Sequence, residues 1–169
     1  QNWEFSTDGL TWNPIANTTS AQSYTNLTTT TYYRAVVKNG SCNTANSSID
    51  TITVDAPSVG GTISSSATIC YGNNNGTLTL NGYVGTVVRW EYSVDNGLTY
   101  NQIANTTTTY NYINITTTSL YRAVVKNGTC STANSAAATL TVNPLSVGGT
   151  VAGATTVCSG SNTGTLTLS

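Results

Sequence analysis

The chain has 169 residues, a formal net charge of −1, 7% charged residues, and neither His nor Met. So little charge excludes the basic footprint that nucleic acid or an anionic membrane surface selects, and no apolar run reaches the length of a membrane-spanning helix. Without His and with its acids scattered, the chain lacks the usual general base and metal ligands, so neither an enzyme nor a metal or cofactor is expected.

Residues 1–56 open on Trp3-Glu4-Phe5-Ser6, where aromatic and polar residues alternate with the period of a half-buried strand. Asp8 and Gly9 then supply turn chemistry, which predicts a hairpin of strands 3–6 and 12–15. Further strands are expected over 24–27, 31–38 and 48–54, with Asn39-Gly40 as a tight turn between the last two. Pro57 cannot donate to a ladder, and the Ser58-Val59-Gly60-Gly61 after it reads as a joint.

Residues 57–143 contain the same text again. Tyr33 to Gly40 returns as Tyr121 to Gly128, and Cys42 and Cys70 return as Cys130 and Cys158, each 88 positions later. The Trp3 hairpin returns at Trp90, 87 positions on, with one residue inserted after Asp95. A period of about 88 residues is too long for most solenoids and suits an independently folding β-sandwich. Strands are expected over 62–64 and 68–70, 77–81, 87–94, 100–103, 110–115, 119–126 and 136–142. That spacing of short strands and turns predicts an all-β chain of tandem immunoglobulin- or fibronectin-like sandwiches. By alternation Leu78, Leu80, Trp90, Tyr92, Tyr121, Ala123, Val125, Leu140 and Val142 face the core, as do Trp3 and Tyr33 in the first copy. Arg89, Glu91, Arg122 and Lys126 face outward.

Residues 144–169 repeat the first strands once more, with Gly164-Thr165-Leu166-Thr167-Leu168 matching Gly76-Thr77-Leu78-Thr79-Leu80. Three stretches follow: 1–56 as the back part of one repeat, 57–143 as a complete one, and 144–169 as the front strands of the next. Almost two periods are spanned, lacking the counterpart of 82–87. This predicts either a segment of a longer array or a unit whose last strands complete a neighbour.

The order T-I-C-Y-G, G-T-L-T-L, a Trp strand, T-T-S-L-Y-R-A-V-V-K-N-G and C-S-T-A-N-S-A-A-A-T-L-T-V resembles the tandem immunoglobulin-like repeats of very large surface proteins of Bacteroidota, including gliding-motility adhesins of the flavobacterial type. The resemblance covers the whole chain. It implies export by the type IX system, an extracellular or cell-surface location, and a stalk or filament segment whose partners are neighbouring repeats, other copies of the filament, and surface glycans or a substratum.

Four features invite a sharper reading. Ser93-Val94-Asp95-Asn96-Gly97-Leu98-Thr99-Tyr100 fits the Asp-box pattern, in which Ser93, Asp95, Gly97 and Thr99 build a turn, whereas a single Asp is far short of the oxygen ligands calcium takes. The shorter first copy, Ser6 to Trp12, suits a plain turn. In an exported chain the four cysteines suggest disulfides, for zinc spacing is absent. Cys70–Cys130 is the pairing contained within one repeat and is the favoured one, leaving Cys42 and Cys158 to partners elsewhere. Cys42–Cys70 with Cys130–Cys158 would instead join successive repeats. Glu91 with Arg122, and Glu4 with Arg34, are expected as exposed cross-strand pairs worth a few tenths of a kcal/mol. Asp50-Thr51-Ile52 resembles the Bacteroidota O-glycosylation tripeptide and makes Thr51 the candidate glycan site.

The function expected from these readings is mechanical: a structural stalk that extends a binding or motility tip from the cell. The alternatives are a carbohydrate-binding module, using Tyr71, Tyr83, Tyr100 and Tyr110 to stack on sugars, or a strand-exchanging subunit of an extracellular polymer.

Overall fold

The computed structural model describes residues 1–64 and 66–169. The chain is all-β, with no helix among the described residues.

Residues 1–56 form one five-stranded sheet. Its strands are β1 (Asn2–Ser6), β2 (Asn13–Ile15), β3 (Thr31–Val37), β4 (Ala45–Asn46) and β5 (Asp50–Ile52). β1 lies between β2 and β3, and β4 and β5 both pair with β3. Among the described residues no second sheet faces it. Trp3 and Tyr33, expected in a core, are therefore half-buried. The strand expected over 24–27 is irregular for the same reason, and Tyr24 is 54% exposed.

The following strands are β6 (Thr62–Ser64), β7 (Ala67–Cys70), β8 (Asn75–Asn81), β9 (Thr86–Ser93), β10 (Asn101–Ile103), β11 (Thr109–Ile113), β12 (Ser119–Lys126), β13 (Ala133–Asn134) and β14 (Ala138–Asn143). One sheet runs β10-β9-β12-β14-β7, with β13 also on β12, and the other runs β11-β8-β6. β7 joins β14 in parallel, pairing Cys70 with Asn143, while β6 crosses to β8 in the opposite sheet. Leu78 and Leu80 from the smaller sheet meet Trp90, Tyr121, Ala123, Val125 and Leu140 from the larger, each 3% exposed or less. This interdigitation of two inner faces is what makes a sandwich stable.

Alternation fails within β12 and within β9. A bulge between Val124 and Val125 lets three successive residues, Ala123, Val124 and Val125, all be buried. Glu91, expected to face solvent, is also buried, at 4% exposure.

Residues 144–169 hold a small hairpin of β15 (Val151–Ala152) and β16 (Thr167–Leu168). Val151 pairs with Leu168 and Ala152 with Thr167, the register of Ile63 with Leu80 and Ser64 with Thr79. The whole segment is exposed, including Leu166 at 69% and Leu168 at 71%.

Candidate functional site

The feature that both copies build alike is the turn after the Trp strand and the sheet face beside it. Ser93 Oγ donates to Asp95 Oδ1 at 2.7 Å and accepts from the Gly97 N–H at 2.8 Å. Asp95 in turn accepts from the Thr99 N–H at 2.9 Å and from the Thr99 hydroxyl. Gly97 has φ +87°, and the inserted Asn96 has φ +59°, a left-handed conformation that Asn tolerates. The shorter first copy nevertheless closes the same network. Ser6 donates to Asp8 at 2.8 Å, and Asp8 accepts from the N–H groups of Leu10 and Thr11, both at 2.8 Å. One residue more or less is absorbed at the tip, where Leu10 and Leu98 are both 85% exposed.

These donors fix the carboxylates in the charged state. The hydroxyl and amide of Thr99, with Ser93, pull Asp95 from 3.8 down to about 2, and the amides of Thr11 and Leu10 lower Asp8 still further. A depressed folded-state value means that the turn adds stability above the unfolded value of 3.8 and loses it as the pH falls through about 2. The melting temperature, followed by circular dichroism, is expected to drop between pH 4 and pH 2. Asp95→Asn combined with Asp8→Asn should melt lower at pH 7 and flatten that drop. Parallel pH curves for the variant and the parent would refute the role.

Beside the turn, Glu91 is clamped from two sides. Arg89 Nε donates to Oε1 and Arg122 Nε to Oε2, both at 2.7 Å. Burial pushes this carboxyl up, but the hydrogen bonds and charges of Arg122 and Arg89 outweigh it and hold the group below its usual value. The Arg122 guanidinium also lies 3.6 Å over the Tyr100 ring. This corrects the expectation of a weak exposed pair: two guanidiniums cover the carboxylate, which is a bridge inside a polar layer. The first copy keeps Glu4 with Arg34 at 2.7 Å, and Arg34 sits 4.0 Å over Trp12. Asn2 stands where Arg89 would be, so among the described residues Glu4 has Arg34 as its one guanidinium partner.

Glu91 and Asp95 are thus bonded through both carboxylate oxygens, and Glu4 and Asp8 through one each. No group of three or more metal-ligating side chains exists among the described residues. The tyrosines expected to form a sugar platform are dispersed. Tyr110 stacks on Tyr121 at 5.5 Å and on Trp90 at 5.9 Å, Tyr83 packs against the core, Tyr100 lies under Arg122, and Tyr71 is 47% exposed. Thr51 is exposed on β5 and its amide donates to the Asp50 carboxylate at 2.9 Å.

All four cysteines are free. The expected Cys70–Cys130 bond is ruled out by topology. Cys70 is paired with Asn143 beyond the Ser119 end of β12, whereas Cys130 follows Lys126 at the other end. A strand of that length separates them by about 25 Å, and a disulfide needs Cα atoms within about 7 Å.

Sequence reasoning missed a second site, the joint ahead of the complete sandwich. The Asp55 carboxylate accepts from the Thr129 N–H at 2.9 Å and its hydroxyl at 3.2 Å. Asn127 Nδ2 donates to the Ala56 carbonyl and the Asn127 N–H to Ser58 Oγ, both at 2.8 Å. The Cys130 thiol rests on the carbonyls of Ala56 at 3.4 Å and Asp55 at 3.6 Å. Val59 and Val84 exchange backbone bonds just after. The available signal was an acid placed directly before Ala56-Pro57, but its partner lies 74 residues away.

No curated protein matches the chain. A family model does so twice in succession, over residues 1–56 and over residues 59–144, so the chain belongs to the family described as Domain of unknown function (DUF8696).

Proposed function

We propose that the chain is a segment of an extracellular spacer on a bacterial surface. In it, successive β units of about 88 residues, divided at Pro57 and near Asn143, are held end to end in a fixed orientation and carry a binding or motility tip away from the cell. The role is mechanical rather than catalytic, and its partners are neighbouring units of the same kind.

The observation that carries this reading is the joint. A spacer transmits length and force only if its linkers do not swivel, and a linker of free backbone would swivel. Here the linker from Asp55 to Ser58 is bonded to the turn of the unit that follows, through one carboxylate and two polar contacts from Asn127. Such bonds contribute roughly 0.5–1.5 kcal/mol each, more for the charged one, and together favour one orientation strongly. The neutral, hydroxyl-rich surface and the resemblance to Bacteroidota surface repeats support the location. The carbohydrate-binding alternative draws less support, because three of its four tyrosines are occupied by packing or by Arg122.

Pulsed electron spin resonance tests the reading. Spin labels at the equivalent exposed positions Asn13 and Asn101, in a cysteine-free background and diluted with unlabelled chain, are expected to give one narrow distance distribution. Asp55→Ala with Asn127→Ala should broaden it. A broad distribution in the parent chain would remove the basis for a stiff spacer.

A further inference from the structure

The turn after β12 seats the joint and also holds an Asn-Gly pair, a sequence open to deamidation. In such a pair the glycine nitrogen, with no Cβ beside it, can reach the carboxamide carbon of the asparagine before it. These pairs stand at Asn39, Asn75, Asn81, Asn96 and Asn127. Asn75 and Asn81 are held in β8, and at Asn96 the nitrogen that would attack, the Gly97 N–H, is bonded to Ser93 Oγ at 2.8 Å. Asn127 differs from all of them. Its carboxamide is bound across the joint, Nδ2 donating to the Ala56 carbonyl, while its own N–H donates to Ser58 Oγ, both at 2.8 Å. The Gly128 N–H meets no acceptor among the described residues.

The joint itself requires the glycine. Gly128 has φ +47°, in the left-handed region, and a Cβ there would overlap the Asp55 carboxylate, which takes that space to reach Thr129. The residue that admits the linker therefore leaves a bare nitrogen beside the Asn127 carboxamide. To be attacked, that carboxamide must fold back onto the Gly128 nitrogen, which withdraws Nδ2 from Ala56. The closed joint blocks the reaction and the open joint permits it. We propose that Asn127 is a deamidation site gated by the joint, and that its conversion holds the joint open thereafter. This holds whether or not the chain is a spacer, since only the bonds of the joint enter it.

The reaction needs only water and hydroxide. The Gly128 nitrogen loses its proton to hydroxide and bonds to Cγ of Asn127, the Cγ–Nδ2 bond breaks, and Nδ2 leaves as ammonia after taking a proton from water. Water then opens the cyclic imide at either carbonyl, leaving an aspartate at position 127 or an isoaspartate whose backbone runs through the side chain. Overall, one water is consumed and one ammonia released. The product cannot remake the joint. A carboxylate has no donor for the Ala56 carbonyl, and it brings a second negative charge to the turn that already seats the Asp55 carboxylate. In the isoaspartate, the rerouted backbone also displaces the Thr129 amide from Asp55. The joint is then a one-way latch.

The test incubates the full chain in mildly alkaline buffer and follows the mass gain at each Asn-Gly pair by peptide mapping. Asn127 is expected to react at least about tenfold more slowly in the folded chain than in urea, because attack is limited to the open fraction. Asp55→Ala removes a hydrogen bond to a charged group and should speed the reaction at Asn127 by about tenfold or more, leaving Asn39 unchanged as the internal reference. Hydrogen exchange of the Thr129 amide, which donates to Asp55, reads the consequence. Asn127→Asp should speed that exchange severalfold beyond Asn127→Ala, since only the first adds charge. Equal rates at Asn127 in the parent and in Asp55→Ala, a folded rate equal to that in urea, or Thr129 exchange no faster in Asn127→Asp than in Asn127→Ala would each overturn the inference. The comparison of folded with urea-unfolded parent needs no substitution, so it can overturn the inference even where a variant fails to fold.

Discussion

Trp90→Ala is expected to destabilise the sandwich of residues 59–143 by about 3–5 kcal/mol, the range for removing a large aromatic from a core. Trp90 is fully buried, donates its ring N–H to the Thr107 carbonyl at 2.9 Å, and touches Tyr110 at 5.9 Å. The change removes apolar area, leaves a cavity between two sheets and loses the bond to the Thr107 carbonyl. Domains of this size have only about 5–15 kcal/mol in total, so the variant should sit near its unfolding threshold. Trp3 has the same sequence surroundings and the same bond, to Thr19 at 3.0 Å. Being half-buried against an open cleft, it loses less, and Trp3→Ala should cost about 1–2 kcal/mol. Hydrogen exchange of the Val124 and Val125 amides reports the complete sandwich separately from the first sheet. Equal protection in the two variants would contradict the difference in packing.

Gly60→Ala is the second large effect. A Cβ at Gly60 would overlap the carbonyl of Asn134 and lie 2.6 Å from the Ser135 nitrogen. Both are backbone, so no side chain can swing away. Ser135 is itself buried and its hydroxyl accepts from the Ala123 N–H at 2.9 Å in the middle of β12. The clash therefore displaces either the joint or the strand that centres the core, at about 1–3 kcal/mol or more. Gly148 occupies the same Ser-Val-Gly-Gly-Thr text, and a Cβ there meets nothing within 4 Å. Gly148→Ala in dilute chain should fall within about 0.5 kcal/mol of the parent. Urea unfolding of both variants decides it: matched midpoints would show that the contact of Gly60 with Asn134 carries no weight.

Much of the fold was legible because it rests on local pattern. Alternation in Trp90-Glu91-Tyr92 and Tyr121-Arg122-Ala123 gave strands and faces, and Asp95-Asn96-Gly97 gave the turn. Leu78, Leu80, Trp90 and Tyr121 were placed in the core by period alone. The strand expected over 24–27 shows the limit of that argument. Its text matches Tyr112 to Ile115, and Tyr112 and Ile113 are in β11 because β8 pairs with them, whereas residues 24–27 have no such partner among the described residues. Strand propensity reports fitness for a sheet, and only a neighbour supplies one.

The site was less legible. Glu91 reads as an outward residue because alternation says which face a side chain leaves from, not what lies over that face. Arg89 and Arg122 cover it from two strands, and Arg122 is itself seated on Tyr100. The joint of Asp55 with Thr129, and the separation of Cys70 from Cys130 at opposite ends of β12, depend on which ends of strands coincide, a matter of topology.

By itself, then, the sequence determined the all-β class, the repeated unit, the turns and the inward-facing residues, since these follow from periodicity and from the conformational preferences of single residues. Only the tertiary structure decided which copies of an identical word are buried, where the thiols stand, and how one unit is fastened to the next. Those properties belong to surfaces brought together from distant parts of the chain, and no local pattern encodes the distance between them.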